Sequence, residues 1–209
     1  MTAAANRRRV PLALKLAYGV ATLLIARVYA RCYGAKNFLW LSDIALGLTT
    51  AAVVTESRLP ASIAAVGVLP LEIAWNADVV TGGRLIGLAA YMFDKRLSPG
   101  LRALSLFHIA LPPTLLWLLR RFGYDRRAFA IQCGLTAIVL PVSYAITEPK
   151  DNVNWVFGPG SQPQRRLPPL LYLGLVILAF PLLVHGPTHL VLRRVFGDNP
   201  KPSPQAGVS

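Results

Sequence analysis

The stretch PPLLYLGLVILAFPLLVHGPTHLV, residues 168–191, runs for twenty-four residues without an Asp, Glu, Lys or Arg. A helix needs about twenty predominantly apolar residues to cross the hydrocarbon core of a bilayer. Five other segments have the same character, at residues 10–29, 38–54, 60–79, 103–119 and 128–146. The sequence therefore predicts an all-α integral membrane protein, a bundle of about six transmembrane helices forming a single domain over residues 1–209.

The composition agrees with a membrane protein and argues against a nucleic-acid-binding one. Only 15% of the residues are charged and the mean hydropathy is +0.48, whereas soluble domains carry roughly a quarter charged residues. The net charge of +13 would suggest nucleic acid in a soluble chain. Here most Lys and Arg residues lie at the ends of apolar runs, as membrane topology requires. Two cysteines, Cys32 and Cys133, are too few for a disulfide framework or a zinc cluster.

The segments outside the six spans are short. Residues 85–93 are apolar but too few to cross a bilayer, so we expect them to form a re-entrant segment or to lie along the membrane–water interface. The polar residues 197–209 are predicted to be disordered. Residues 7–30 resemble a signal peptide, but Lys15 and Arg27 interrupt them, which favours a retained first helix. Prolines inside the spans predict kinks; they are Pro70, Pro112, Pro113, Pro141, Pro181 and Pro187.

The orientation follows from the basic residues. Six spans put both termini on one side, where eleven Lys and Arg fall, against nine on the other side. The cluster RRFGYDRR, residues 120–127, lies between two spans and indicates a cytoplasmic loop. The sequence thus predicts a protein of the cell (inner) membrane with both termini in the cytoplasm.

Four ionisable residues lie inside or at the end of predicted spans: Asp43, Glu72, Asp78 and His108. Each costs about 2.5–3.5 kcal/mol on insertion, so such groups normally face a protein interior or a wet cavity. The predicted topology puts all four in the outer half of the membrane. We therefore expect a shared site with His108 as base or ligand and Glu72 or Asp43 as its partner. The alternative is that these groups only join helices, at about 0.6 kcal/mol per pair.

Helical spacing adds neighbours to this site. Asn76 follows Glu72 by four residues, with Trp75 beside it, and Ser105 precedes His108 by three. Residues at these spacings share a helix face. Together with Asp78, they are the predicted substrate-binding groups in the spans.

The segment TEPKDNVNWVFGPGSQPQRR, residues 147–166, separates the last two spans. Its prolines and glycines exclude a continuous helix. It is either a surface hairpin anchored by aromatic residues or a lid over an outward-facing cavity. In the second case Asn152, Asn154 and Trp155 would contact the ligand.

The last span carries His185 and His189 at a spacing of four, which allows two imidazoles to bind one metal ion. The inner half of the spans offers no carboxylate as a third ligand, so we expect no bound cofactor. The pair, with an upstream Ser and His, resembles the membrane hydrolase superfamily that includes alkaline ceramidases. That resemblance implies zinc, but SLFH departs from the superfamily's SxxxH spacing.

Four segments, FLWLSDIAL, EIAWNADVV, FHIALPPTLLWLLRRFGYDRRA and DNVNWVFGPG, resemble a group of uncharacterised bacterial membrane-associated proteins over roughly residues 38–195. More distantly, His108 and the Asn154-Trp155-Val156-Phe157 loop resemble the YwaF-type integral membrane family. Its eukaryotic relatives are considered acyltransferases acting on phospholipids. The family's early histidine and cysteine have no counterpart, since the matching segment reads LPLEIAW, without a thiol.

Three functions remain open at this point. The chain binds or modifies a lipid or small amphiphile at an outward-facing polar cavity, or it is a small transporter coupled to protons or cations. As a third possibility, it is a scaffold without chemistry. Membrane lipids are the expected partners, and the sequence leaves open whether the protein is an enzyme.

Overall fold

The computed structural model describes residues 9–160 and 162–197, and all regular structure within them is helical. This confirms the predicted all-α class. The α-helices are α1 (Leu12–Cys32), α2 (Leu41–Thr55), α3 (Arg58–Val80), α4 (Pro99–Leu104), α5 (Phe107–Phe122), α6 (Arg127–Ile146), α7 (Pro169–Ala179) and α8 (Gly186–Phe196). Short 3₁₀ turns occur at Ala35–Leu39, Ala90–Phe93 and Val153–Trp155. The predicted disordered tail lies outside the described residues, apart from Gly197.

Five helical stretches are long and apolar enough to cross a membrane, and together they suggest a membrane protein. They are Leu12–Cys32, Arg58–Val80, Pro99–Phe122, Arg127–Ile146 and Pro169–Phe196. The remaining predicted span, residues 38–54, forms the shorter α2 of 15 residues. At 1.5 Å per residue α2 is about 22 Å long, less than the roughly 30 Å of a hydrocarbon core. It is shorter than predicted because Phe38 and Leu39 belong to the preceding 3₁₀ turn.

The last two predicted spans differ in regularity. α6 is continuous, with Pro141 inside it. The final stretch changes from α to π geometry over Phe180–His185 before α8 begins at Gly186. Pro181 lies in the first turn of the π segment, and a Cβ at Gly186 would come within 2.9 Å of the Pro181 carbonyl oxygen. Glycine at position 186 therefore leaves room for the Pro181 carbonyl to approach the backbone of Gly186.

The surface of the bundle is apolar while part of its interior is polar. Leu23 is 72% exposed and Leu183 is 74% exposed, whereas Glu72, Gln132 and His185 are almost completely buried. Large exposed apolar surfaces mark contact with a membrane or a partner. Ionisable residues in spans usually turn toward the protein interior. The distribution is the one expected for helices surrounded by lipid tails.

Helix α3 lies at the centre, packed against α2, α5, α6 and α8. Just over half of its apolar stretch is buried, 56%, compared with 11% for α1. Gly67 in α3 allows the Gln132 side chain of α6 to pack on its backbone, since a Cβ there would lie 2.7 Å from Gln132 Cδ. The groups carried by α3 therefore meet those of most other helices.

One end of the bundle, here called the basic end, is formed by the start of α1, the α2–α3 junction, the α5–α6 turn and the end of α8. Two acids lie there among the described residues, Glu56 and Asp125. Nine basic residues surround them: Arg9, Lys15, Arg58, Arg120, Arg121, Arg126, Arg127, Arg193 and Arg194. The opposite end, here called the His108 end, contains the loops 81–98 and 147–166. The chain thus alternates between two chemically different ends.

The turn between α5 and α6, at the basic end, is held by several hydrogen bonds and ion pairs. Asp125 is 4% exposed and receives hydrogen bonds from the Arg127 backbone and guanidinium. It also pairs with Arg58, at 3.3 Å, and its own N–H donates to Ser62 Oγ. The backbone N–H of Tyr124 donates to the Phe196 carbonyl. One acid therefore helps to fasten α3, α5 and α6 together.

We expect Asp125→Asn to lower the free energy of unfolding by about 1–3 kcal/mol at pH 7, because the hydrogen bonds to the guanidinium lose their charge. Hydrogen bonds from Arg127 hold the pKa of Asp125 below its usual value. A lowered folded-state pKa contributes stability that is fully present above the usual value near 3.9 and is lost as the pH falls from there through the lowered pKa. The difference between wild type and variant should therefore shrink below about pH 4.

Unfolding in detergent micelles at several pH values measures this difference. Glu148→Gln is the matched control, since the Glu148–Lys150 ion pair is exposed and such pairs contribute little. A pH-independent gap for Asp125→Asn would contradict the prediction.

Helix α1 is held to the bundle by apolar packing and by polar contacts. Tyr18, Ile25 and Tyr29 pack among buried side chains of α2, α3 and α5, while most of its other apolar side chains face outward. Three hydroxyl pairs and one ion pair join it to α2, α4, α5 and their flanks. They are Tyr18–Thr114 at 2.7 Å, Thr22–Thr50 at 2.7 Å, Tyr29–Ser105 at 3.1 Å and Lys15–Glu56 at 2.6 Å.

The triple variant Tyr18→Phe/Thr22→Val/Tyr29→Phe should lose about 2 kcal/mol of stability, since interhelical hydrogen bonds contribute about 0.6 kcal/mol each. Each substitution keeps the shape and removes one hydroxyl. Unfolding in mixed micelles measures the loss. Tyr33→Phe is the control, because the Tyr33 hydroxyl makes no hydrogen bond in the described part of the chain. An equal loss in the control would refute the role of the hydroxyl pairs.

Candidate functional site

The His108 end contains a hydrogen-bonded carboxylate and imidazole. Glu72, in the second half of α3, places Oε2 2.7 Å from Nδ1 of His108, in the first turn of α5. The two side chains are only 3% and 12% exposed. A carboxylate in this position fixes the orientation of an imidazole. The sequence predicted that these residues would share a site; their functional role stays a prediction.

Neighbouring side chains fix the position of His108. The Asn76 amide donates to the His108 carbonyl at 2.9 Å and to the Glu72 carbonyl at 2.7 Å, which ties α5 to α3. The His108 ring stacks on Trp75, with centroids 4.6 Å apart, and on Phe107 at 4.1 Å. The imidazole is thus held on its Nδ1 side and on both faces. Asn76 and Trp75, predicted as binding groups, help to hold it.

The second ring nitrogen of His108 remains open. Nε2 makes no hydrogen bond in the described part of the chain, and it is not sealed in the interior. When ionised Glu72 accepts a hydrogen bond from Nδ1–H of the neutral imidazole, Nε2 carries a lone pair. The arrangement then offers a basic nitrogen whose positive charge, once protonated, is stabilised by Glu72. This is the arrangement of a general base with its orienting acid.

Hydroxyl groups surround the pair. Ser105 Oγ lies 3.1 Å from the Tyr29 hydroxyl, and both residues are buried. The Tyr91 ring lies 6.5 Å from Trp75. Burial raises the pKa of Tyr91 to about 12, so its hydroxyl stays protonated near neutral pH. Tyr29 and Tyr91 were not predicted as site residues, since tyrosines near span ends are common as membrane-interface anchors.

Trp75 leaves a donor without a partner. Its Nε1–H is buried and makes no hydrogen bond in the described residues. The Tyr91 hydroxyl is close enough to interact with it, but the geometry does not form a hydrogen bond. A buried N–H without an acceptor is costly.

Asp43 lies near the pair without touching it. Its Oδ2 accepts a hydrogen bond from Asn37 at 2.9 Å. It is within electrostatic range of Glu72 and of the Tyr29 hydroxyl. Two acids and one imidazole therefore determine the local charge of the site.

Asp78, predicted to bind substrate, is directed into the following loop. Its fully buried carboxylate accepts hydrogen bonds from the backbone N–H groups of Leu85, Ile86 and Ala89, at 2.8, 2.9 and 2.7 Å. These contacts fold the loop 81–89 back onto the end of α3. The structure thus gives Asp78 a task in shaping the loop, and its predicted ligand contact stays a prediction.

The loop 147–166 is built around two asparagines with left-handed backbone conformations, which asparagine tolerates better than most residues. The Asn152 amide donates to the Gly158 and Gly160 carbonyls, and its Oδ1 accepts from the Phe157 N–H. Asn152 thereby closes the tight turn of the loop on itself.

Asn154 fastens this loop to the start of α2. Its Oδ1 accepts from the Leu41 N–H at 3.0 Å, and its amide donates to the Leu39 carbonyl at 2.7 Å. Lys36 and Asp151 add an ion pair between the same two regions. The two asparagine amides are therefore occupied by the protein itself, which favours the anchored hairpin over a mobile lid.

Trp155 belongs to the same docked loop. Its carbonyl accepts a hydrogen bond from the Tyr172 hydroxyl of α7 at 3.0 Å. The nearby ring of Phe157 packs on Tyr144 of α6 at 5.0 Å. The loop therefore joins α2, α6 and α7 at the His108 end.

We expect Asn154→Ala to release the loop, because it leaves the Leu41 N–H and the Leu39 carbonyl without partners, at about 1–3 kcal/mol for each buried group. Trypsin should then cleave faster after Arg165 and Arg166. Asn154→Asp keeps the acceptor for Leu41 and should give an intermediate rate. Gln162→Ala, at an exposed position of the loop, is the control. Equal cleavage of Asn154→Ala and wild type would count against the anchoring role.

The two histidines of the final stretch have different partners. His185 is fully buried, with Nδ1 3.8 Å from Cys133 Sγ, and its Nε2 is unpartnered in the described residues. His189 Nδ1 lies 2.7 Å from the Tyr124 hydroxyl at the basic end. Within residues 9–160 and 162–197, no group of three or more His, Cys, Asp or Glu could hold a metal ion.

Two surface grooves at the basic end are defined by the described residues. One, of about 560 Å³, runs between the start of α1 and the end of α2. The other, of about 280 Å³, is lined by Leu190, Arg193 and Arg194. His108 belongs to neither of these two grooves.

Comparison with known proteins finds no family model, curated protein or solved structure that matches this chain.

Proposed function

We propose that the chain is a multi-pass protein of the cell membrane that binds or modifies a lipid or small amphiphile at the Glu72–His108 pair. The observation that carries this proposal is the 2.7 Å hydrogen bond between a buried carboxylate and an imidazole whose second nitrogen is open. Intramembrane ionisable groups of this kind mark functional sites more often than surface ones do.

The surroundings of the pair favour an amphiphilic ligand. His108 lies in the first turn of α5, beside the outward-facing apolar Leu106 and Ile109, which are 47% and 45% exposed. A ligand could therefore keep its apolar part in the lipid while its polar group meets the imidazole. A ligand that never leaves the membrane needs no large water-filled cavity.

The local charges favour an uncharged polar group over an anionic one. Asp43 and Glu72 contribute two carboxylates beside the imidazole of His108. A phosphate would be repelled by these carboxylates. A hydroxyl or an ester carbonyl would instead suit the unpartnered Trp75 N–H and His108 Nε2. The proposed substrate class is therefore a neutral lipid hydroxyl or ester.

His108 would act on such a group as a base. Its Nε2 would accept the proton of a lipid hydroxyl while Glu72 stabilises the imidazolium, a type of assistance that contributes about 10²–10⁴-fold to a rate. The site is proposed to face the outer side of the membrane, with both termini in the cytoplasm. The prolines and the π segment are proposed to loosen the helices around it.

A proton-coupled transporter is the second candidate, and the proximity of Asp43 to Glu72 favours it. Neighbouring carboxylates repel each other when both are ionised, so one of them can take up a proton. Proton-coupled uptake into vesicles that is lost in Asp43→Asn would favour this candidate. If the pair only joins α3 to α5, neither lipid retention nor uptake will depend on Nε2.

The substitution His108→Asn tests the role of Nε2 directly. Asparagine can still donate toward Glu72 from the position of Nδ1, but it has no group at the position of Nε2. We expect normal folding and about two- to tenfold weaker retention of diacylglycerol, the loss of one hydrogen bond between neutral groups. The protein is purified in phosphatidylcholine nanodiscs containing diacylglycerol, and bound lipid is measured by native mass spectrometry.

His189→Asn is the matched control, because His189 also uses Nδ1 for its hydrogen bond but lies at the basic end. Unchanged diacylglycerol retention in His108→Asn, with normal folding, would leave only the helix-joining role.

A further inference from the structure

We propose a second lipid site at the basic end, where the groove between α1 and α2 binds the headgroup of an anionic phospholipid. The groove, of about 560 Å³, is lined at its charged side by Arg9, Lys15 and Glu56. Its apolar lining includes Val10, Leu12 and Val54. The proposal rests on these residues and not on the Glu72–His108 pair.

The charged side of the groove has two cationic side chains, Arg9 and Lys15, and one anionic side chain, Glu56. Lys15 Nζ donates to Glu56 Oε1 at 2.6 Å, and the Val10 N–H donates to the same oxygen at 3.3 Å. These bonds hold the Lys15 ammonium at the groove, where Glu56 neutralises it in part. The Arg9 guanidinium makes no hydrogen bond in the described part of the chain, and it adds a second positive charge near Glu56. A guanidinium whose donors are not used in hydrogen bonds suits the two oxygens of a phosphate.

The backbone of Arg9 is held in place. Its carbonyl accepts a hydrogen bond from the Arg121 guanidinium at the end of α5. The position from which the Arg9 side chain starts is therefore fixed by α5 as well as by the start of α1. This contact also brings a further positive charge close to the groove.

The apolar side of the groove fits acyl chains. Leu12 is 69% exposed and Val54 is 49% exposed, on the membrane-facing surfaces of α1 and α2. A phospholipid could place its phosphate at Arg9 and Lys15 and its chains against these side chains. The charged side of the groove would face the headgroup region and the apolar side would face the acyl chains, which matches a phospholipid in one leaflet. A soluble phosphate compound would leave the apolar half unused.

The surplus of basic residues at this end supports an anionic headgroup. The nine basic and two acidic residues of the basic end give it a surplus of positive charge that attracts anionic lipids in general. The His108 end has a smaller surplus and carries acids inside the bundle. Within the basic end, the groove adds a defined shape to this general attraction.

The experiment compares lipid retention in nanodiscs that contain phosphatidylglycerol or phosphatidylcholine with the same acyl chains. Native mass spectrometry counts the lipids that stay bound to the wild type, to Arg9→Gln and to Arg126→Gln. Arg126 is the matched control, since it is an exposed arginine of the same end outside the groove. Arg9→Gln removes no hydrogen bond of the described fold, so it should fold normally.

We expect the wild type to retain phosphatidylglycerol preferentially, Arg9→Gln to lose roughly fivefold in retention, and Arg126→Gln to behave like the wild type. Equal losses in the two variants would overturn the proposal, because they would assign binding to diffuse charge. Equal retention of the two lipids would also overturn it. Displacement of the lipid by inorganic phosphate at similar concentration would assign the site to a free anion instead.

The two lipid sites are tested separately. Diacylglycerol retention in Arg9→Gln should equal that of the wild type, and phosphatidylglycerol retention in His108→Asn should do the same. Failure of one proposal therefore leaves the other intact.

Discussion

The architecture depends on finding partners for polar groups inside a bundle whose outer surface is apolar. In water an unpaired side chain can turn to the solvent, but among lipid-facing helices it must bond within the protein or remain unsatisfied at considerable cost. Glu72 and His108 meet this requirement together, as do the hydroxyl pairs of α1. Hydrogen bonds between helices therefore accompany the apolar packing that joins them.

The same requirement explains the loops. Asp78 accepts hydrogen bonds from three backbone N–H groups after α3, and Asn154 accepts one from the Leu41 N–H at the start of α2. Asp125 performs the corresponding task at the opposite end. In each case one short polar side chain accepts or donates the hydrogen bonds that fix a turn. These turns connect neighbouring helices at both ends of the bundle.

The two ends differ in the signs of their charges and hence in the ligands they suit. Inside the His108 end, acids surround a single imidazole, which favours neutral or proton-exchanging groups. At the basic end, arginines outnumber acids and border a groove with an apolar rim. This asymmetry would let one small protein contact different lipid chemistries in the two leaflets.

Sequence alone determined the helical class and most helix positions, because runs of apolar residues of bilayer length have few other stable arrangements. It also singled out Glu72 and His108, since ionisable groups in such runs are rare. Only the tertiary structure decided which polar groups meet: Asp78 and Asn154 turned to backbone N–H groups, and His185 and His189 took separate partners. Spacing along one helix gives the face of a residue, but its partner depends on how neighbouring helices and loops are placed. For the same reason Tyr29, Tyr91 and the groove at Arg9 became visible only in three dimensions.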